Sequence, residues 1–211
     1  MKNLVIMAGG MSQRMGQDKV FLEFEGESFL ERVYKNAKVS FDEIFISTDT
    51  KEHKEAIKKL PALKGIKDEN IILDRHERCG PIGGICSVFE STEISKFAII
   101  PTDVPNADME VLLTLFEICK EKPCIYKRDD GELEKLVGAY PRQCYKAFKE
   151  RLEIKRFSIM KALESSGYEA YSKPELININ PSLLNSDLEF AFRNINRPED
   201  YKNLIGNKEL I

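Results

Sequence analysis

Val5-Ile6-Met7-Ala8-Gly9-Gly10-Met11-Ser12-Gln13-Arg14-Met15-Gly16-Gln17-Asp18-Lys19 joins a short apolar run, beginning at Leu4, to a loop bearing three glycines, one arginine and one lysine. The run reads as a strand that brings the chain to the carboxyl edge of a sheet, where open α/β folds bind their ligands. The pair Gly9-Gly10 removes side chains, so that backbone N–H groups can come close to a phosphate chain. Arg14 adds a planar fork of donors and Lys19 a compact point charge. A glycine pair after a strand can be no more than a tight turn. With Ser12, Arg14, Gly16 and Lys19 in the same short loop, the segment reads as a cradle for a triphosphate. Its spacing matches neither GxGxxG nor GxxxxGK[ST], so the two commonest phosphate loops are not what it is.

Outward from this segment, strand-like apolar runs alternate with helix-length amphipathic ones. Strands are expected at 3–8, 43–47, 70–73, 96–100, 124–127, 135–140 and 175–179. Helices are expected at 27–39, 52–60, 83–90, from an N-cap at Asp108, at 143–152, at 158–165 and from Pro198 onward. In the first helix, Phe29, Leu30, Val33 and Ala37 share one face. In the helix after Asp108, Leu112, Leu115, Phe116 and Cys119 form an i, i+3, i+4, i+7 stripe. Such alternation implies a single-domain, Rossmann-like, doubly wound sheet, mostly parallel, with helices on both faces. No repeat, low-complexity segment or linker divides the chain. One domain is expected, with a nucleotide-binding half over about 1–125 and an acceptor-binding half over about 126–205.

Three further clusters carry chemistry. Ile99-Ile100-Pro101-Thr102-Asp103-Val104-Pro105 runs a strand into one carboxylate stiffened by a proline on each side. Asp103 could cap a turn, but across from a phosphate cradle it suits Mg²⁺, which uses one or two carboxylates plus water and phosphate oxygens. Asp74-Arg75-His76-Glu77-Arg78-Cys79-Gly80-Pro81-Ile82-Gly83-Gly84 follows a strand and opens a helix, leaving backbone N–H groups available. Arg193-Asn194-Ile195-Asn196-Arg197-Pro198 sets two asparagines two residues apart, able to point the same way from an extended segment, before an ordinary proline helix start.

Composition narrows the classes. The 211 residues suffice for one sizeable core, and 42% hydrophobic with 32% charged residues is ordinary for a globular protein. A net charge of −3 without a basic cluster speaks against nucleic acid as a partner. No apolar run approaches the ~20 residues of a membrane-spanning helix. The five cysteines are odd in number and lack CxxC spacing, and no signal peptide precedes them, so reduced thiols and a cytoplasmic location are expected. Two histidines leave a metal to oxygen ligands. No GxSxG elbow is present, and phosphoryl chemistry needs no covalent nucleophile.

The opening loop resembles the L-A-G-G-x-S-x-R-M-G signature, followed by a lysine, of GT-A-like, Rossmann-type nucleotidyltransferases. Asp18-Lys19, where most branches have proline before the lysine, is similar to the molybdenum cofactor guanylyltransferases, the MobA family. The resemblance implies transfer of GMP from GTP to the terminal phosphate of molybdenum-bound molybdopterin with release of pyrophosphate. It implies catalytic roles for Arg14, Lys19 and Asp103, with Asp103 as the Mg²⁺ ligand of a C/T-D-x-P motif. Met7, Ala8, Gly9, Gly10, Ser12, Lys19, Ser47, Asp74, Gly80 and Asp103 would bind the nucleotide. Asp74 would help read the guanine or its ribose, and Asn194 and Asn196 would engage the acceptor. Molybdenum-insertion proteins or apo-molybdoenzymes would be further partners. The chain departs from the pattern at Ser47-Thr48-Asp49, where many relatives have a base-contacting asparagine and Ser47 takes the matching place. A His-Pro pair is missing around Glu134-Lys135-Leu136, and Arg197 replaces a threonine. A cytidylyl- or sugar-nucleotide transferase on the same fold, or a catalytically silent nucleotide-binding partner in cofactor delivery, are the alternatives.

Overall fold

The hydrophobic alternation along the strands builds the molecule. In the computed structural model, which describes residues 1–9, 19–24 and 26–195, Leu4 and Ile6 of β1 (Asn3–Met7) face one core while Val5 and Met7 face another. A short antiparallel pair, β2 (Glu23–Phe24) with β3 (Glu27–Ser28), precedes α1 (Phe29–Ala37). Then follow β4 (Glu43–Thr48), α2 (Lys51–Lys59), β5 (Ile71–Leu73), α3 (Pro81–Ser91), β6 (Lys96–Pro101) and α4 (Met109–Ile118). The second half holds β7 (Cys124–Lys127), β8 (Leu133–Pro141), α5 (Tyr145–Glu153), α6 (Ile159–Ser166), β9 (Glu169–Tyr171), α7 (Lys173–Ile179) and α8 (Leu188–Ala191).

Seven strands form one sheet in the order β5-β4-β1-β6-β8-β7-β9. Residues of α1, α2, α4 and α7 cover one face, and residues of α3, α5 and α6 cover the other. Helices on both faces are as the sequence predicts. The sheet is mostly parallel, also as expected, with one strand reversed. β8 runs antiparallel to both neighbours, β6 and β7, while the β5–β4, β4–β1, β1–β6 and β7–β9 pairs are parallel. The cause is local: Gly131, at φ 88°, closes a tight turn (Gly131 N–H to Arg128 carbonyl, 3.0 Å), so β7 and β8 form a hairpin. The hairpin inserts β8 between β6 and β7.

Two further expectations change. The strand predicted at 175–179 is helix α7. Ser172 and Glu175 form a reciprocal capping box with Pro174 in the first turn, a helix start that outweighs the β-branched residues behind it. The edge strand is instead β9, three residues beside β7. The predicted 27–39 helix spans Phe29–Ala37, and it starts there because Ser28 caps it: its hydroxyl accepts from Glu31 N–H, and the Glu31 carboxylate accepts from Ser28 N–H at 3.0 Å. The helix expected from Pro198 lies outside the described residues. No helix among the described residues is long and apolar enough to cross a membrane.

Candidate active site

Strand ends decide where the chemistry gathers. β1, β4, β5 and β6 all finish at one edge of the sheet, and β1, β5 and β6 are each prolonged by a backbone hydrogen bond to a neighbouring strand. Ala8 N–H donates to the Ser47 carbonyl at 2.8 Å, Asp74 N–H to Thr48 at 2.7 Å and Thr102 N–H to Met7 at 3.3 Å. The three predicted clusters after β1, β5 and β6 are thereby aligned side by side.

A cavity of about 500 Å³ opens there. Of the predicted nucleotide-binding residues, Met7, Gly9, Ser47, Asp74 and Gly80 line it. Gly84, one turn into α3, lets the helix close on β1 and β4: a Cβ there would stand 2.5 Å from Met7 Cε and 2.7 Å from Ser47 Oγ. Gly83 does the same for the β5 loop, where a Cβ would come to 2.7 Å from the Asp74 carboxylate and 2.9 Å from the His76 carbonyl. Asp74 Oδ1 accepts from His76 N–H and from the Ser87 hydroxyl, each at 2.8 Å. Burial nevertheless raises its carboxyl above the ordinary value, with the nearby Asp49 charge adding to the shift.

Ala8 sits just past the end of β1. It is buried and its N–H is committed to Ser47, so that donor is not available to a phosphate. Gly10, Ser12 and Arg14 lie outside the described residues, as does the side chain of Lys19, whose backbone begins a 3₁₀ turn over Lys19–Phe21.

Asp103 is not among the residues that line the cavity. It follows Thr102, just past the end of β6, and its carbonyl accepts from Ile195 N–H at 2.8 Å. That bond brings the exposed Asn194 next to the Asp103 loop; Asn196 lies outside the described residues. Ile195 is itself buried against Leu22 and Phe29. Leu22, Asp103 and Ile195, far apart in sequence, are therefore joined at one place.

Comparison with known proteins agrees with this geometry. Residues 4–167 match the family model of the MobA-like NTP transferase domain. The chain belongs to that family. It is a nucleotidyltransferase. A relative named "probable molybdenum cofactor guanylyltransferase" from Methanosarcina acetivorans is 30% identical, the match covering 97% of this chain and 90% of that one. One of the same name from Aquifex aeolicus is 27% identical, over 95% and 89%. The crystal structure of molybdopterin-guanine dinucleotide biosynthesis protein A from Archaeoglobus fulgidus shares the fold, with a TM-score of 0.77 at 20% identity over 99% of this chain and 100% of that one.

For a MobA-like transferase, the sequence reading named no role for several residues of the cavity wall, two of them charged groups that bear on its chemistry. Asp49 and Arg78 both line it. Asp49 Oδ1 lies 2.8 Å from His53 Nδ1, one helical turn on, and the Phe21 ring meets His53 edge-on at 5.9 Å between centroids. The i, i+4 spacing of Asp49 and His53 was visible in the sequence, but nothing there says that the first turn of α2 faces the ligand edge. Cys79 carries no reactive signature. Burial pushes its thiol up, and its sulfur points to the Glu77 carbonyl at 3.4 Å.

Proposed function

We infer that this enzyme transfers GMP from GTP to the terminal phosphate of molybdenum-bound molybdopterin, releasing pyrophosphate. The observation that carries the reading is the convergence of strand ends bearing Gly9, Ser47, Asp74 and Asp103 on one edge, with a nucleoside-sized cavity beside them. The names of the two relatives described above supply the base and the acceptor. In the proposed reaction an acceptor phosphate oxygen attacks the α-phosphorus of GTP as the bond to the bridging oxygen breaks, and pyrophosphate leaves in line. Catalysis is then positioning and charge neutralisation. The cavity holds the nucleoside. Gly9 allows the chain to pass close to the phosphates, while Arg14 would offset charge on the leaving pyrophosphate and Lys19 charge at the reacting centre. Asn194, beside Asp103, would meet the acceptor together with Asn196.

The donor set suits magnesium. Among the described residues no group of three or more His, Cys, Asp or Glu side chains could enclose a metal, so an ion held by Asp103 would draw its other ligands from phosphate and water. Bound there, Mg²⁺ would neutralise developing phosphate charge. Reduced thiols fit a cytoplasmic setting, where molybdenum-insertion proteins or apo-molybdoenzymes would exchange the cofactor.

The test is isothermal titration of GTP and CTP with and without Mg²⁺, followed by pyrophosphate release with the molybdopterin acceptor. Magnesium-strengthened binding of GTP alone, with turnover, is expected. Preference for CTP would retain the reaction type and overturn the base. Binding without pyrophosphate release would leave a silent nucleotide-binding partner.

A further inference from the structure

The wall of the cavity is uneven in charge. Asp49 and Asp74 face it from the ends of β4 and β5, with Glu77 at the rim. Such a wall repels phosphate and welcomes N–H donors. Among its described lining residues Arg78 is the one arginine or lysine. His76 is engaged elsewhere, its Nε2 lying 3.0 and 3.1 Å from the two Glu90 carboxylate oxygens. Arg78 is exposed and makes no hydrogen bond or ion pair among the described residues.

Its backbone is unusual too. Arg78 has φ 58°, the left-handed region, where glycine or asparagine would be less strained. The loop that imposes this conformation is tied down on both sides of the residue. Asp74 holds His76 N–H, the Ser87 hydroxyl oxygen accepts from Arg75 N–H at 2.9 Å, and Cys79 N–H returns to the His76 carbonyl at 3.4 Å. The arginine is therefore presented to the cavity from a defended position rather than from a free loop.

Guanine has two adjacent donors, N1–H and N2–H₂, on one edge and two adjacent acceptors, O6 and N7, on another. The first edge suits a carboxylate and the second a guanidinium fork. Adenine replaces O6 with a donor, and cytosine has a lone N4 donor beside its acceptors, so neither satisfies both walls. We propose that Arg78 is a specificity-determining residue that reads the O6/N7 edge of guanine. The proposal rests on the GTP reading above and adds the residue that enforces it.

The experiment titrates GTP, CTP and 7-deaza-GTP, in which N7 is a C–H, into the wild type, Arg78→Ala and Arg78→Gly. The wild type should bind GTP about tenfold tighter than 7-deaza-GTP, and both variants should bind the two alike. Arg78→Gly suits the left-handed backbone, so its melting temperature should equal or exceed the wild type's, separating lost recognition from lost fold. Variants that keep the wild-type ratio, or that weaken both nucleotides equally, overturn the role of Arg78. A wild type that separates GTP from CTP but not from 7-deaza-GTP overturns it as well, leaving the GTP reading intact. A wild type that prefers CTP overturns the GTP reading and Arg78's role with it.

Discussion

At the scale of single residues, the cavity depends on what is missing as much as on what is present. Gly83 and Gly84 are neighbours, yet a methyl group would meet different obstacles at each. At Gly84 the nearest atom is the far end of the flexible Met7 side chain, followed by Ser47 Oγ. Gly84→Ala should fold with only a small loss of stability while weakening nucleotide binding several-fold by titration. At Gly83 the methyl meets a backbone carbonyl as well as the Asp74 carboxylate, so Gly83→Ala should lower the melting temperature clearly, with a cost of about 1–3 kcal/mol. Asp74 trades stability for its place in the cavity. Burial raises its folded pKa above the ordinary value, so the stability associated with its proton is present below about pH 4 and lost as pH rises through the folded pKa. Asp74→Asn should therefore melt higher than the wild type at pH 7 and lose that advantage in acid, while binding GTP more weakly. An advantage that persists unchanged at pH 3 would show that burial of charge is not the cause. Asp103 belongs to the chemistry. Asp103→Ala should keep the wild-type melting temperature to within a few degrees and lose about 10²–10⁴ in turnover; pyrophosphate release within tenfold of wild type would remove it from the mechanism.

At the scale of elements, caps decide where helices begin, and they were readable in part. Asp108 at the start of α4 was predicted, and its carboxylate accepts from Glu110 N–H at 2.9 Å. The two capping boxes, Ser28 with Glu31 and Ser172 with Glu175, carry the S-x-x-E signature, a local signal that the expected 27–39 helix and 175–179 strand leave unused. Burial in α7 fits that local start: Leu176 is fully buried while Ile179, which would have served a strand face, stays exposed. The α1 box has energetic weight, since Glu31 also accepts from Ala62 N–H at 3.0 Å and joins the helix start to the chain after α2. Burial would raise the Glu31 carboxyl, but its Ala62 and Ser28 donors outweigh this and hold it below the ordinary value. Its contribution is thus present above about pH 4.5 and lost as pH falls through the folded pKa. Ser28→Ala should cost about 1 kcal/mol, roughly 2–4 °C in melting temperature. Glu31→Gln should be destabilised at pH 7 and approach the wild type in acid; a pH-independent gap would point to packing instead.

At the scale of the whole molecule, Ile195 links the site. Its side chain completes a small cluster with Leu22 and Phe29, and its N–H holds the Asp103 carbonyl. Ile195→Ala should cost about 2–4 kcal/mol in denaturant unfolding and lower turnover by about 10–100-fold, because the Asp103 loop and the segment after Lys19 lose a common support. Turnover unaffected at a temperature where the variant is fully folded would reduce Ile195 to packing alone. The α/β class, the order of most elements and the strand-end clusters at Gly9, Ser47, Asp74, Gly80 and Asp103 were determined by the sequence itself. Those features rest on local rules: hydrophobic period, glycine and proline punctuation, and chemistry placed directly after an apolar run. Only the tertiary structure decided that β8 runs backwards between β6 and β7, that the Ala8 amide is spent on Ser47, that Asp49 and Arg78 face the cavity, and that Asn194 lies beside Asp103. Each of these depends on which distant backbone groups pair and which helix closes over which strand. Such contacts form only when the chain closes on itself, so residue types and spacing alone leave them undetermined.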